Sequence, residues 1–192
     1  MTRHPNLACK DDSFLVVIDM QQAFWNLVSD KERVLRAVQL LLKCAKPLGL
    51  PVIATEQNPT KVGGTLAAVS DLLAGASVIP KMTFSCWAEP AFAAAIESLG
   101  RKTAILCGIE THVCLMETAL DLIHAGYRVH LPADAVTARG DFNCRFAVDN
   151  IRAAGGIIST LEAVLFQLLE RAGTDEFRAV MGLIKSEALW EA

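Results

Sequence analysis

The run Phe14-Leu15-Val16-Val17-Ile18, followed at once by Asp19, is the stretch on which the fold turns. Five consecutive apolar residues, three of them β-branched, leave no wet face. A strand covered on one side only would alternate; this one reads as a strand covered on both sides, as in parallel sheets. Outward from it, strand-like and helix-like segments alternate. Ser29-Asp30 caps a helix with the stripe Val34, Leu35, Val38, Leu41, Leu42 and Ala45, which stops at Pro47-Leu48-Gly49. Pro51-Val52-Ile53-Ala54-Thr55 is the second strand, and a polar loop over residues 56–65 leads to a third, Ser77-Val78-Ile79-Pro80.

Residues 90–99 form a helix with Pro90 in its first turn, where a missing N–H costs little. Residues 103–107 are the fourth strand, 112–125 a helix closed by Gly126, and 128–131 the fifth strand. Residues 145–154 form a helix and Gly156-Ile157-Ile158 the sixth strand. Ser159-Thr160-Leu161-Glu162 reads as a capping box opening a helix through Leu169. This rhythm predicts one α/β domain over 1–192, an open parallel sheet of about six strands with helices on both faces. Its core spans about 14–171. A terminal helix, about 174–185, packs on the domain or on a partner subunit.

The 192 residues are 53% apolar, enough to exclude a disordered chain. Eighteen basic and 21 acidic residues give a net charge of −3 without long like-charged runs, so no nucleic-acid or membrane footprint is expected. No apolar run approaches the ~20 residues of a membrane span, and residues 1–10 lack the apolar core of a secretory signal. Six cysteines, at 9, 44, 86, 107, 114 and 144, form no CxxC pair. They read as reduced thiols in the cytoplasm or another reducing compartment.

In open α/β sheets, ligands gather beyond the carboxyl ends of the strands. Asp19 ends the first strand, Thr55-Glu56-Gln57 the second and Pro80-Lys81 the third. Cys107-Gly108 ends the fourth, and its loop leads to Cys114 in the first turn of a helix. A carboxylate, an ammonium and a thiol therefore share one rim. The helix start and Lys81 favour a thiolate at Cys114, and Asp19 can act as its general base. Backbone N–H groups of residues 108–114 can hold an oxyanion. The set supports attack on an amide or similar carbonyl. Each residue alone also has a plainer reading: a buried apolar Cys, a turn-capping Asp, a solvated Lys. Their shared rim favours chemistry.

These segments resemble the isochorismatase-like cysteine hydrolases, the superfamily of nicotinamidases and N-carbamoylsarcosine amidases. The resemblance rests on Leu15-Val16-Val17-Ile18-Asp19-Met20-Gln21, Ile79-Pro80-Lys81, Gly108-Ile109-Glu110-Thr111-His112-Val113-Cys114, Ala125-Gly126-Tyr127 and Ala133-Asp134-Ala135-Val136. It covers about residues 14–169. Thr55-Glu56-Gln57 and Val164-Leu165-Phe166-Gln167-Leu168-Leu169 point to the isochorismatase domain-containing group.

The resemblance implies a Rossmann-type three-layer sandwich. It assigns Cys114 as nucleophile, Asp19 as base and Lys81 as the residue that orients both. It also implies a cis peptide at Ile109-Glu110, with the N–H groups of Glu110 and Cys114 as oxyanion donors; the direction of the Glu110 side chain stays open. Nicotinamidases hold a metal after strand two, but residues 56–61 contain no histidine here, and His4, His112, His124 and His130 are scattered. No metal and no cofactor are expected. Isochorismatases cleave a vinyl ether without the cysteine, so Cys114 favours covalent hydrolysis of a C–N bond in a small molecule.

Phe24 and Trp87 are read as pocket walls, with ordinary packing as the alternative, and Gln57 as a substrate contact. His112 is an unpromising partner for Cys114, because helical positions two apart diverge. A homo-oligomer is expected, as the family commonly assembles. Two alternatives to the hydrolase stay open: a catalytically silent binding protein, and, more weakly, an enzyme acting on RNA.

Overall fold

The apolar run Phe14 to Ile18 lies in the middle of the sheet. The computed structural model describes residues 3–186; the ends of the expected 1–192 span, residues 1–2 and 187–192, lie outside the described residues. Six strands, β1 (Ser13–Ile18), β2 (Val52–Gln57), β3 (Ser77–Lys81), β4 (Thr103–Gly108), β5 (Arg128–Pro132) and β6 (Ile157–Ser159), form one sheet in the order β3-β2-β1-β4-β5-β6. Every pairing is parallel. This is the doubly wound order, whose direction of winding reverses between β1 and β4.

The helices are α1 (Gln22–Trp25), α2 (Lys31–Leu48), α3 (Pro59–Val62), α4 (Ala67–Ser70), α5 (Pro90–Ser98), α6 (Met116–His124), α7 (Asp141–Ala153), α8 (Leu161–Leu169) and α9 (Asp175–Ser186). Strand side chains alternate between faces, and each face has its own apolar layer. Leu15, Val17, Ile105 and Cys107 pack with α2, α8 and α9. Phe14, Val16, Ile18, Ala104 and Leu106 pack with α5, α6 and α7. Both faces are covered, as the unbroken hydrophobicity of β1 requires. Among the described residues no helix is long and apolar enough to cross a membrane.

The differences from the sequence reading are local. The one-turn helices α1, α3 and α4 were not expected, since four residues are too few to show a period. Asp30 precedes α2 at φ 46° and makes no side-chain cap; its carboxylate pairs with Arg33 instead. Pro47 is accommodated inside the last turn, and α2 ends at Gly49 in the left-handed region. The cap of α8 is Thr160, whose hydroxyl accepts from Ala163 N–H, so the expected Ser159/Glu162 box is displaced by one residue. Asp134 takes the neighbouring Leu161 N–H at 2.7 Å. Helix α7 begins at Asp141, four residues earlier than expected. Val180 and Ile184 of α9 are buried against the domain's own core, beside α2.

His130 is an uneasy member of this core. It is fully buried on β5, and neither ring nitrogen has a hydrogen-bond partner among the described residues. Burial, with Arg128 nearby, lowers its pKa to about 4. The unfolded chain, with an ordinary histidine, binds the extra proton first as pH falls. Stability should therefore be complete above about pH 6.5 and decline toward pH 4, by roughly 3 kcal/mol from this residue. Urea unfolding between pH 4.5 and 7 should show this slope in the native chain and a flatter one in His130→Leu.

Candidate active site

The polar residues of interest stand at the carboxyl ends of β1, β2, β3 and β4, around the point where winding reverses. Backbone geometry there is tight. Asp19 leaves β1 at φ 50°, its N–H donating to Thr55 O at 3.2 Å and its carbonyl accepting from Gln21 N–H at 2.7 Å. Gly108 ends β4 beside Ile18 at φ 119°, and a Cβ there would lie 2.1 Å from the Ile18 carbonyl oxygen. Only glycine permits that approach. After it, the Ile109–Glu110 peptide bond is cis. The chain then makes a π-turn, Thr111–Leu115, in which Leu115 N–H reaches Glu110 O, five residues back, at 3.3 Å. Such turns interrupt α-helices frequently at functional sites. This one carries Cys114 and leads into α6.

Lys81 draws the pieces together. Its Nζ lies 2.8 Å from Asp19 Oδ2 and donates to Cys114 Sγ at 3.4 Å. It also donates to Gln57 Oε1 at 2.7 Å and to the carbonyls of Thr83 and Phe84 at 3.1 and 3.2 Å. Asp19 Oδ1 accepts from the Thr55 hydroxyl at 2.7 Å. Oδ2 sits close to the ammonium but out of line for a directed hydrogen bond, so a lone pair stays open. Asp19, Thr55 and Lys81 are buried, and Cys114 is 7% exposed.

Burial works against the Lys81 ammonium, yet Asp19 and the sulfurs of Cys86 and Cys114 outweigh it and hold its pKa above the ordinary value. Burial and then Asp19 push the Cys114 thiol well up, with Lys81 only partly offsetting them. This weighs toward the thiol, against the thiolate that the helix start and Lys81 favour: enclosure beside a carboxylate costs the sulfur more than the ammonium returns. Cys86 is also buried, 3.8 Å from the Thr55 hydroxyl, and burial followed by Asp19 raises its thiol to about 11.

A cleft of about 70 Å³ opens over Cys114, lined by Asp19, Phe24, Gln57, Phe84, Ile109, Glu110, Val113 and Cys114. Among the described residues no group of three His, Cys, Asp or Glu side chains is placed to hold a metal.

Comparison with known proteins places this geometry. The isochorismatase domain family model matches residues 13–163. The secreted isochorismatase effector Isc1 of Phytophthora sojae is 36% identical over 90% of this chain and 84% of its own. Isochorismatase domain-containing protein 2 of Xenopus laevis is 35% identical over 92% of this chain and 85% of its own. Among solved structures, the MAR1 ribonuclease of Caenorhabditis elegans superposes with a TM-score of 0.88 at 30% identity, covering 93% of this chain and 92% of that one. The chain belongs to the isochorismatase family. Membership supports a hydrolase, built on the Rossmann-like α/β sheet described above.

Within this isochorismatase-family chain, Asp19, Lys81 and Cys114 come together, and Phe24 lines the cleft as expected. Trp87 does not line it: the ring packs against Tyr127 at 5.7 Å between centroids, in the core layer under α5 and α6. Phe84 takes the wall instead. Gln57 faces the cleft, but both ends of its amide are committed, to Lys81 Nζ and to Met82 O, so it holds the lysine. The Glu110 side chain, left open by the sequence, lines the cleft, and Arg139 Nε lies 2.9 and 3.0 Å from its two carboxylate oxygens. His112 lies 3.7 Å from the same carboxylate. Thr55 holds the Asp19 carboxylate through its hydroxyl, a role whose only sequence signal is a hydroxyl ending the buried strand beside the Asp19 strand.

Gly108→Ala should cost about 3 kcal/mol or more, from a strained left-handed alanine and a contact with backbone that cannot yield. Urea denaturation checks this, and a loss below 1 kcal/mol would show that β1 and β4 can separate.

Proposed function

We propose that the chain is a cysteine hydrolase that cleaves an amide-type C–N bond of a small molecule through a thioester on Cys114. The observation that carries this reading is one buried ammonium within reach of both Asp19 and the Cys114 sulfur, beneath an open cleft. Asp19 is the base, Lys81 orients both partners, and the N–H groups of Glu110 and Cys114 receive the oxyanion.

The cluster of carboxylate, ammonium and thiol is neutral. Moving the thiol proton to Asp19 keeps it neutral and leaves a thiolate paired with Lys81. The sulfur then adds to the carbonyl carbon, and collapse expels the amine, which takes the proton from Asp19. Water attacks the thioester with Asp19 accepting its proton. The carboxylic acid leaves and the thiol is restored.

The thiol and the attacking water supply every proton, so no cofactor is needed in this proposal. A homo-oligomer is supported by Phe142 and Phe146 of α7, whose stacked rings are 73% and 60% exposed.

A second reading, chemistry on RNA, is favoured by the ribonuclease name of the C. elegans relative. The net charge of −3 and an apolar cleft weigh against it, because strand binding draws on a positive groove. Low-salt titration with single-stranded RNA distinguishes the two; tight, salt-sensitive binding would favour the RNA reading.

Release of amine from a panel of small amides should vanish in Cys114→Ala and fall about 10²–10⁴-fold in Asp19→Asn. Mass spectrometry should find the acyl group on Cys114. Full turnover without Cys114 would reject the covalent route. Absence of turnover and of adduct across the panel would favour a silent binding protein.

A further inference from the structure

The walls of the cleft have an unusual charge balance. Two carboxylates, Asp19 and Glu110, face it, and both are spoken for. Asp19 is matched by the buried Lys81. Glu110 is matched by Arg139, whose Nε donates to Oε2 at 3.0 Å and lies 2.9 Å from Oε1, and whose backbone N–H donates to Oε2 at 3.2 Å. The other lining side chains are Phe24, Phe84, Ile109 and Val113, with Gln57 and Cys114 already engaged with Lys81. The space has no unmatched charge with which to hold an ionised substrate. It is also small: about 70 Å³, roughly half of a cavity that admits one benzene ring.

We propose that the site accepts a short, neutral acyl group of about two to four heavy atoms, and that Arg139 is the specificity-determining residue that keeps it so. The inference rests on Cys114 being the nucleophile. Arg139 acts from outside: its side chain is 55% exposed, whereas that of Glu110 is only 9% exposed. With Arg139 in place, the Glu110 carboxylate is cancelled, and a substrate carrying either charge would lose water without gaining a partner. Without it, the Glu110 carboxylate keeps only His112, 3.7 Å away, beside it and attracts a cation. Without Glu110, the guanidinium is released to attract an anion. One pair thus sets the charge that the cleft admits.

The test uses three small thiol reagents that differ in charge: neutral iodoacetamide, anionic iodoacetate and cationic 2-bromoethylamine. Labelling of Cys114 is followed by peptide mass spectrometry in the full chain, with Cys114→Ala as control. Each rate is divided by that of the same reagent with glutathione. In the native chain the normalised rate for iodoacetamide should exceed the other two by roughly tenfold, and Arg139→Met should raise the bromoethylamine rate by a similar factor. Glu110→Gln should raise the iodoacetate rate instead. Native-like circular dichroism of Arg139→Met, a change at a half-exposed side chain, ensures that the shift is read on a folded protein. Ratios near one in the native chain, or ratios unmoved by both substitutions, would overturn the assignment to Arg139 while leaving the nucleophile intact. No labelling of Cys114 by any reagent would overturn the nucleophile reading and this inference with it.

Discussion

One ammonium group holds the site together. Lys81 Nζ has five neighbours able to accept its protons, contributed by β1, β2, the segment after β3 and the π-turn before α6. Removing a charge of this kind from water costs several kcal/mol, and only a matched opposite charge with good hydrogen bonds offsets it. Asp19 supplies the charge, and Gln57 with two carbonyls supplies the bonds. The same arrangement fixes where Cys114 can stand. Lose the lysine, and Asp19 becomes an unpaired anion in an apolar layer.

The fold serves that arrangement through its register. Ile18 pairs with both Thr55 and Gly108, and Gln57 pairs with Lys81. The strand ends therefore lie level with one another, and the residues just beyond them meet without long loops. Parallel strands make this possible, because their carboxyl ends all lie on one side of the sheet. Gly108 allows the π-turn to begin close against β1. Arg139 reaches Glu110 from the segment before α7, so the outer wall of the cleft is set by a different part of the chain from its floor.

Much of this was legible in the sequence for physical reasons. The buried strands advertise themselves as apolar runs, and Asp19, Lys81 and Cys114 are recognisable because they follow such runs. What a linear reading misses is direction and burial. Trp87 follows Lys81 closely, yet its ring turns to Tyr127, while Phe84 in the same segment turns to the cleft. Gln57 was placed at the site, but its binding to Lys81 depends on the β2–β3 register, which no local pattern reveals. The thiolate expectation weighed the helix start and the lysine. It had no measure of how completely the sulfur would be enclosed beside Asp19. The direction of Glu110 stays hidden for a similar reason, since its partner Arg139 lies 29 residues away.

In the proposed reaction the Cys114 sulfur starts as a thiol and ionises by passing its proton to Asp19. The ultraviolet thiolate band of Cys114, taken as the difference between the native chain and Cys114→Ala across pH, tests it most directly. The account predicts no Cys114-dependent band at neutral pH, with onset above the range of an ordinary thiol. A full band already present at pH 7 would contradict it, for the site would then rest as a thiolate–ammonium pair with no need of Asp19 to start the reaction.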